Sequence, residues 1–212
     1  MNIVTCLRCT RRSLREPLGL APDRPLHVSG LSITLTIAVV LTVVVKLPCQ
    51  QAKPGEYQVK AAYLYNFGRF IAWPAKGAAE SSNSFAICVL GEDPFGLALN
   101  ATLADETIGG KSVVARRIPD PADAVNCRIL FISSSEAGRL KQILSVLKDA
   151  SVLTVSDLPQ FSRTGGMVQF TMEGSRVRFE VNLAPAERAG LILSSELLKV
   201  AVNVRRGGAV GD

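Results

Sequence analysis

The arrangement of apolar and polar positions changes character several times along the chain. From Leu31 to Val45 it reads LSITLTIAVVLTVVV, an uncharged run with no polar face. Pro54 and Gly55 then open a second region. In EYQVKAAYLYNFGRFIAWP, the residues Val59, Tyr63, Phe67 and Phe70 recur at helical spacing, and Trp73-Pro74 ends the predicted helix. Ala75 to Ser84, rich in Ala, Ser and Gly, reads as a loop. Strand-length segments follow at Phe85–Leu90, Lys111–Ile118, Cys127–Ser133 and Ser151–Ser156. A short helix is expected near Pro94. Another is expected after Ser133, where Ser133 and Glu136 have capping-box spacing and Leu140, Ile143, Leu144 and Leu147 form an apolar stripe. Apolar strands separated by helices predict a parallel sheet covered on both faces.

The ending has a different pattern. Met167–Glu173 and Arg176–Leu183 flank a tight turn at Gly174-Ser175 and predict an antiparallel hairpin. In its second strand Val177, Phe179, Val181 and Leu183 alternate with Arg176, Arg178, Glu180 and Asn182. A long final helix is expected from about Pro185 to Val204, burying Leu197, Val200, Ala201 and Val204. The expected fold class is α/β: a mostly parallel central sheet with helices on both faces, a C-terminal antiparallel hairpin and that final helix. The expected division is an export signal or signal anchor over residues 1–52, an α/β domain over 53–204 and a flexible tail over 205–212.

Charge refines this division. The formal net charge is +6, but Arg8, Arg11, Arg12, Arg15, Arg24 and Lys46 face only Glu16 and Asp23 in the leader, which therefore holds about +4 of it. The remainder is too weakly basic to track phosphates, so nucleic acid is not an expected partner. The basic flank, the apolar run and the following Gln-Gln-Ala52 outline an export signal of fitting length, with an uncleaved anchor as the rival reading. TRRSLR, from Thr10 to Arg15, lies too far from the apolar core for a twin-arginine signal. Lys46-Leu47-Pro48 does not suit lipoprotein processing at Cys49, and Cys6 with Cys9 lacks a second pair for a metal site.

The only histidine, His27, is in the leader. Histidine-based nucleophilic catalysis and His-ligated metal sites are thereby closed to the rest of the chain. No catalytic constellation, metal site or cofactor is expected. Beyond the leader two cysteines remain, Cys88 and Cys127. In an oxidising compartment an even pair reads as a disulfide, and a strand order of 2-1-3-4 puts their strands side by side; two separate buried thiols are the alternative. Gly91, Glu92 and Asp93, with Ser133, Ser134 and Ser135, follow strands one and three, where open parallel sheets bind ligands. The same residue types also serve as turn formers and helix caps. Arg178, Glu180 and Asn182 form a polar row that suits either a partner or cross-strand pairing with Gln169 and Thr171.

YQVKAAYLYNFGRFIAWP, FAICVLGEDPFG, NCRILFIS, VLTVSD, GGMVQF, RVRFEVNL and AGLILSSELLKVA, in this order, resemble the YfiR family of periplasmic repressors of membrane-bound diguanylate cyclases. The resemblance runs from Glu56 to Val204. It implies a periplasmic α/β domain, able to dimerise, that binds the periplasmic portion of an inner-membrane diguanylate cyclase and keeps it inactive, so cyclic di-GMP and biofilm formation stay low. It also implies that Cys88 and Cys127 match one family bridge. A second family bridge has no counterpart, because 162–169 contains no cysteine. The resemblance carries partner contacts to Arg178, Glu180 and Asn182. The competing expectation is a periplasmic small-ligand sensor using the crevice at Gly91–Asp93 and Ser133–Ser135; an enzyme ranks third.

Overall fold

The structure is a computed structural model that describes residues 55–75, 79 and 82–206. The apolar run Leu31–Val45, His27 and the leader cysteines lie outside the described residues. Among the described residues no helix is long and apolar enough to cross a membrane.

The chain starts with α1 (Glu56–Phe70) and a short β1 (Ile71–Ala72). Next come β2 (Ser84–Leu90), α2 (Leu97–Leu103), β3 (Thr107–Ile108) and β4 (Lys111–Ile118). A 3-10 turn at Pro121–Asn126 leads into β5 (Ile129–Ile132), and a second at Ser134–Arg139 leads into α3 (Leu140–Val146). Then follow β6 (Leu153–Ser156), α4 (Phe161–Thr164) and the hairpin β7 (Val168–Glu173) with β8 (Arg176–Asn182). The chain closes with α5 (Leu183–Arg188), β9 (Ile192–Leu193), α6 (Ser195–Val200) and β10 (Asn203–Arg205).

Eight strands form one sheet in the order β10-β8-β7-β6-β5-β2-β4-β3, and β1 pairs with β9 in a separate two-stranded sheet. β4, β2, β5 and β6 are parallel neighbours, the 2-1-3-4 order expected from the sequence. β7 and β8 pair antiparallel, with Gln169 opposite Glu180 and Thr171 opposite Arg178. Alternation along the strands divides the interior into two cores. Ile87, Val89, Ile129, Phe131, Leu153 and Val155 pack toward α1 and α2. Cys88, Leu90, Leu130 and Ile132 pack toward α3, the first 3-10 turn and Phe161 of α4. The first core centres on Phe67, fully buried and in ring contact with Phe170 and Phe179. Gly68 lets α1 approach the sheet: a Cβ there would meet the Ile108 Cδ1 at 2.5 Å.

The expected final helix is not present as one element. Gly190 takes φ +74, a left-handed conformation that ends the helical stretch after α5. Leu193 and Ile192 then pair with Ile71 and Ala72, and Ser194 restarts a helix by accepting the Leu197 N–H at 3.2 Å. Val200, expected inside, is 58% exposed, and Val204 and Arg205 form an edge strand parallel to β8. Ser133 departs from its expected role too. Its hydroxyl accepts the Ser135 N–H while the Glu136 carboxylate turns to Arg139, so no capping box forms and a 3-10 turn precedes α3.

Candidate functional site

α1 positions the most distinctive surface of the molecule. Its inward face is Lys60, Ala61, Leu64, Phe67 and Gly68. Of the stripe expected from the sequence only Phe67 is fully buried; Val59, Tyr63 and Phe70 lie one step around the helix and stay partly exposed. They wall two adjoining cavities that share Tyr63. One, of about 520 Å³, runs from Glu56 and Val59 to Met172, Arg176 and Arg178 at the hairpin tip. The other, of about 320 Å³, runs from Asn66 and Phe70 to Glu196 and Val200 of α6. Met172 is 46% exposed. Together they make a groove with an apolar, aromatic floor and a charged rim of both signs, the composition of a protein-recognition surface.

A buried polar knot fixes α1 in place. Lys60 is only 2% exposed. Its ammonium donates to Asp157 at 2.6 Å and pairs with Glu56 at 2.5 Å, and it lies 4.3 Å from the centre of the Tyr57 ring. The Tyr57 hydroxyl donates to the same Asp157 carboxylate at 2.9 Å. Burial pulls the Lys60 pKa down, but the hydrogen bonds to Asp157 and Glu56 outweigh it and hold the group above lysine's ordinary value. Burial, then the bond to Asp157, pushes the Tyr57 phenol up. Further along the helix Tyr65 donates to Glu106 at 2.5 Å, and that bond raises its pKa.

The two loops expected to form a ligand crevice do meet. The Glu92 N–H donates to the Ser135 Oγ at 3.0 Å. The space between them is filled: a Cβ on Gly91, itself at φ +87, would strike Ser135 Oγ and the Glu136 side chain. Asp93 accepts the Phe95 N–H at 2.8 Å and pairs with Arg117 at 2.6 Å, the work of a turn former and ion-pair partner. Ser133 is buried and Ser134 exposed. Among the described residues no group of three or more His, Cys, Asp or Glu side chains could hold a metal ion.

Cys88 and Cys127 form a disulfide with Cα atoms 6.0 Å apart. Cys88 is within β2, whereas Cys127 is two residues ahead of β5, a step earlier than expected. The polar row of β8 divides in two. Asn182, 4% exposed, donates its amide to the Ser162 carbonyl at 2.8 Å, and the Ser162 hydroxyl lies 3.2 Å from both the Glu180 carboxylate and the Gln169 carbonyl oxygen, with one proton to share between them. These two residues anchor α4. Arg178 instead borders the larger cavity, 3.4 Å from Glu173.

A family model described as YfiR/HmsC-like matches residues 57–202, from the first turn of α1 to the residue before β10. The chain belongs to the YfiR/HmsC-like family. Its disulfide and hairpin fall inside the matched span, as does the groove apart from Glu56. The fold is also similar to a conserved domain protein from Vibrio cholerae, at 10% identity over 73% of this chain and 62% of that one, with a TM-score of 0.49. A second similar structure is the ABC domain in complex with L-Trp from Streptococcus pneumoniae, at 12% identity over 68% of this chain and 60% of that one, with a TM-score of 0.48. This YfiR/HmsC-like chain thus spans less than two thirds of either.

Sequence reasoning missed the Lys60–Asp157 knot and the hairpin wall of the groove. A signal for the first was available: a lysine between Val59 and Ala61, four residues after Glu56 and three after Tyr57. The wall had no local signal, because it depends on how α1 lies across β8.

Proposed function

We propose that this YfiR/HmsC-like protein is an exported periplasmic regulator, not an enzyme. In this reading the α1–hairpin groove docks onto the periplasmic portion of an inner-membrane diguanylate cyclase and represses it, lowering cyclic di-GMP and biofilm formation. The leader over residues 1–52 directs export and the domain over 53–204 does the binding. The observation that carries the reading is the partly exposed Val59–Tyr63–Phe70 stripe, open between Met172 and Val200 and bordered by Glu56, Arg176, Arg178 and Glu196. Apolar area of this kind, centred on a tyrosine and rimmed by arginines, is where binding energy concentrates in protein interfaces. Family membership supplies the class of partner.

The test is genetic and direct. Removing the gene should raise cyclic di-GMP in a host with the cognate cyclase, and wild-type protein should restore the low level. Met172→Glu with Val200→Glu, both at exposed positions, should accumulate and fold normally but fail to restore it. Full restoration by that variant, or no rise on deletion, overturns the proposal. The alternative, a small-ligand sensor at Gly91–Asp93 and Ser133–Ser134, has less support, because Ser135 and Glu136 occupy the space between those loops.

A further inference from the structure

At the opposite end of the parallel strands from the Gly91 and Ser133 loops, α3, α4 and α5 enclose a cavity of about 290 Å³. Leu144, Leu147, Met167 and Pro185 supply its apolar lining. Lys141 and Lys148 from α3 and its C-terminal end, and Arg188 from α5, stand around it, and no carboxylate lines it. The acids next in sequence, Asp149 and Glu187, are exposed and outside the lining. None of the three cations forms an ion pair among the described residues, whereas Lys60, Arg117, Arg139 and Arg178 all do. Thr154, buried at the start of β6, accepts the Met167 N–H at 3.2 Å with its hydroxyl oxygen, which leaves the hydroxyl proton to donate.

Three like charges around one concavity repel one another, and the field they share is focused by the low-dielectric walls. An anion relieves that repulsion; an apolar body attached to it covers the leucines and the methionine. We infer that this cavity binds a small amphipathic anion, a carboxylate or phosphate on an apolar group of about ten to fifteen heavy atoms, a size set by pocket volumes of this order. Lys141, Lys148 and Arg188 hold the anionic head by charge-assisted hydrogen bonds, and Leu144, Leu147 and Met167 receive the body. The site is separate from the partner groove and does not depend on it. A free organic acid and an anionic lipid headgroup share this chemistry.

The experiment measures thermal unfolding and calorimetric titration of the full chain with phenylacetate, phenyl phosphate and the cation 2-phenylethylammonium, together with sedimentation on phosphatidylglycerol vesicles. The expected result is stabilisation by one or both aromatic anions and none by the cation, by mass action on the folded state. Raising salt from about 50 to 500 mM should weaken the anion several-fold. The triple variant Lys141→Ser, Lys148→Ser, Arg188→Ser changes exposed positions only; relieved of that repulsion, it should unfold at or slightly above the wild-type temperature without ligand and bind the anions at least tenfold more weakly. Vesicle binding lost in the triple variant, without binding of the free anions, assigns the cavity to a lipid headgroup. Equal binding of anion and cation, unchanged anion binding in the triple variant, or no binding of anions or vesicles overturns the inference.

Discussion

Asp157, the first residue after β6, holds the Lys60 ammonium at 2.6 Å and so ties the carboxyl end of the central sheet to the second turn of α1. The Tyr57 hydroxyl donates to the same carboxylate at 2.9 Å, so two residues of α1 are tied to one acceptor.

Breaking this pair should be costlier than replacing it. Asp157→Ala strands a buried ammonium with only Glu56 beside it and should lower stability by about 3 kcal/mol. Lys60→Met removes the buried ammonium and leaves the Asp157 carboxylate, 16% exposed and still bonded to the Tyr57 hydroxyl, without its cation, so it should cost less, about 1–2 kcal/mol. Urea denaturation of both variants provides the comparison, and a larger loss for Lys60→Met would show that the ammonium itself stabilises the fold.

Both shifted groups in the knot respond to alkali with the same sign. Lys60 and Tyr57 have folded pKa values raised above their ordinary 10.5 and 10.0. Each therefore contributes stability that is complete below its unfolded value and lost as pH rises through its folded one. Stability measured by urea should be level from pH 8 to about 9.5 and fall above about 10 to 10.5. Lys60→Met should show a shallower fall across the same range.

A buried residue of α1 and an exposed residue of α6 should respond very differently to truncation. Phe67→Ala empties a fully buried site among Phe170 and Phe179 and should cost about 3–5 kcal/mol. Val200→Ser, on the groove rim, should change stability by no more than about 0.5 kcal/mol. Thermal or urea unfolding separates the two outcomes.

The disulfide should be structural in its energetics and slow in its chemistry. It closes a loop of sequence separation 39, and replacing both cysteines with alanine should cost about 4 kcal/mol in the chain-entropy account. Cys88 and Cys127 are 0% and 1% exposed, so thiolate reagents reach them only after local opening. Free-thiol titration in dithiothreitol should show slow release in buffer and rapid release in denaturant.

Much of this fold was legible in the residues. Lys111–Ile118 forms β4 with the bounds expected, and Phe85–Leu90 is extended only by Ser84. Buried strands of a covered sheet leave an unbroken apolar signature, and the hairpin announces itself through Gly174 and strict alternation. The final region was not legible in the same way. Apolar residues from Leu183 to Val204 satisfy helical spacing, yet Gly190 and the Ser194 cap cut them into two short helices and two strands, of which β9 pairs with the distant β1 and β10 returns to β8. The candidate groove was half legible. The periodicity put Val59, Tyr63, Phe67 and Phe70 on one stripe, but two neighbouring stripes on α1 are apolar, and a lysine at the N-terminal end of the inner one concealed which faces the core. The opposing wall, Met172 to Arg178, belongs to the sheet's tertiary arrangement and leaves no local mark.

The covalent link between Cys88 and the residues leading into β5 is located where the winding of the sheet reverses direction. Stapled at that point, the two central strands are joined by a bond as well as by their ladder. The β7–β8 hairpin and the broken stretch beyond Pro185, which border the groove, hold to the sheet through non-covalent contacts alone, so the molecule's one covalent clamp among the described residues lies away from the groove.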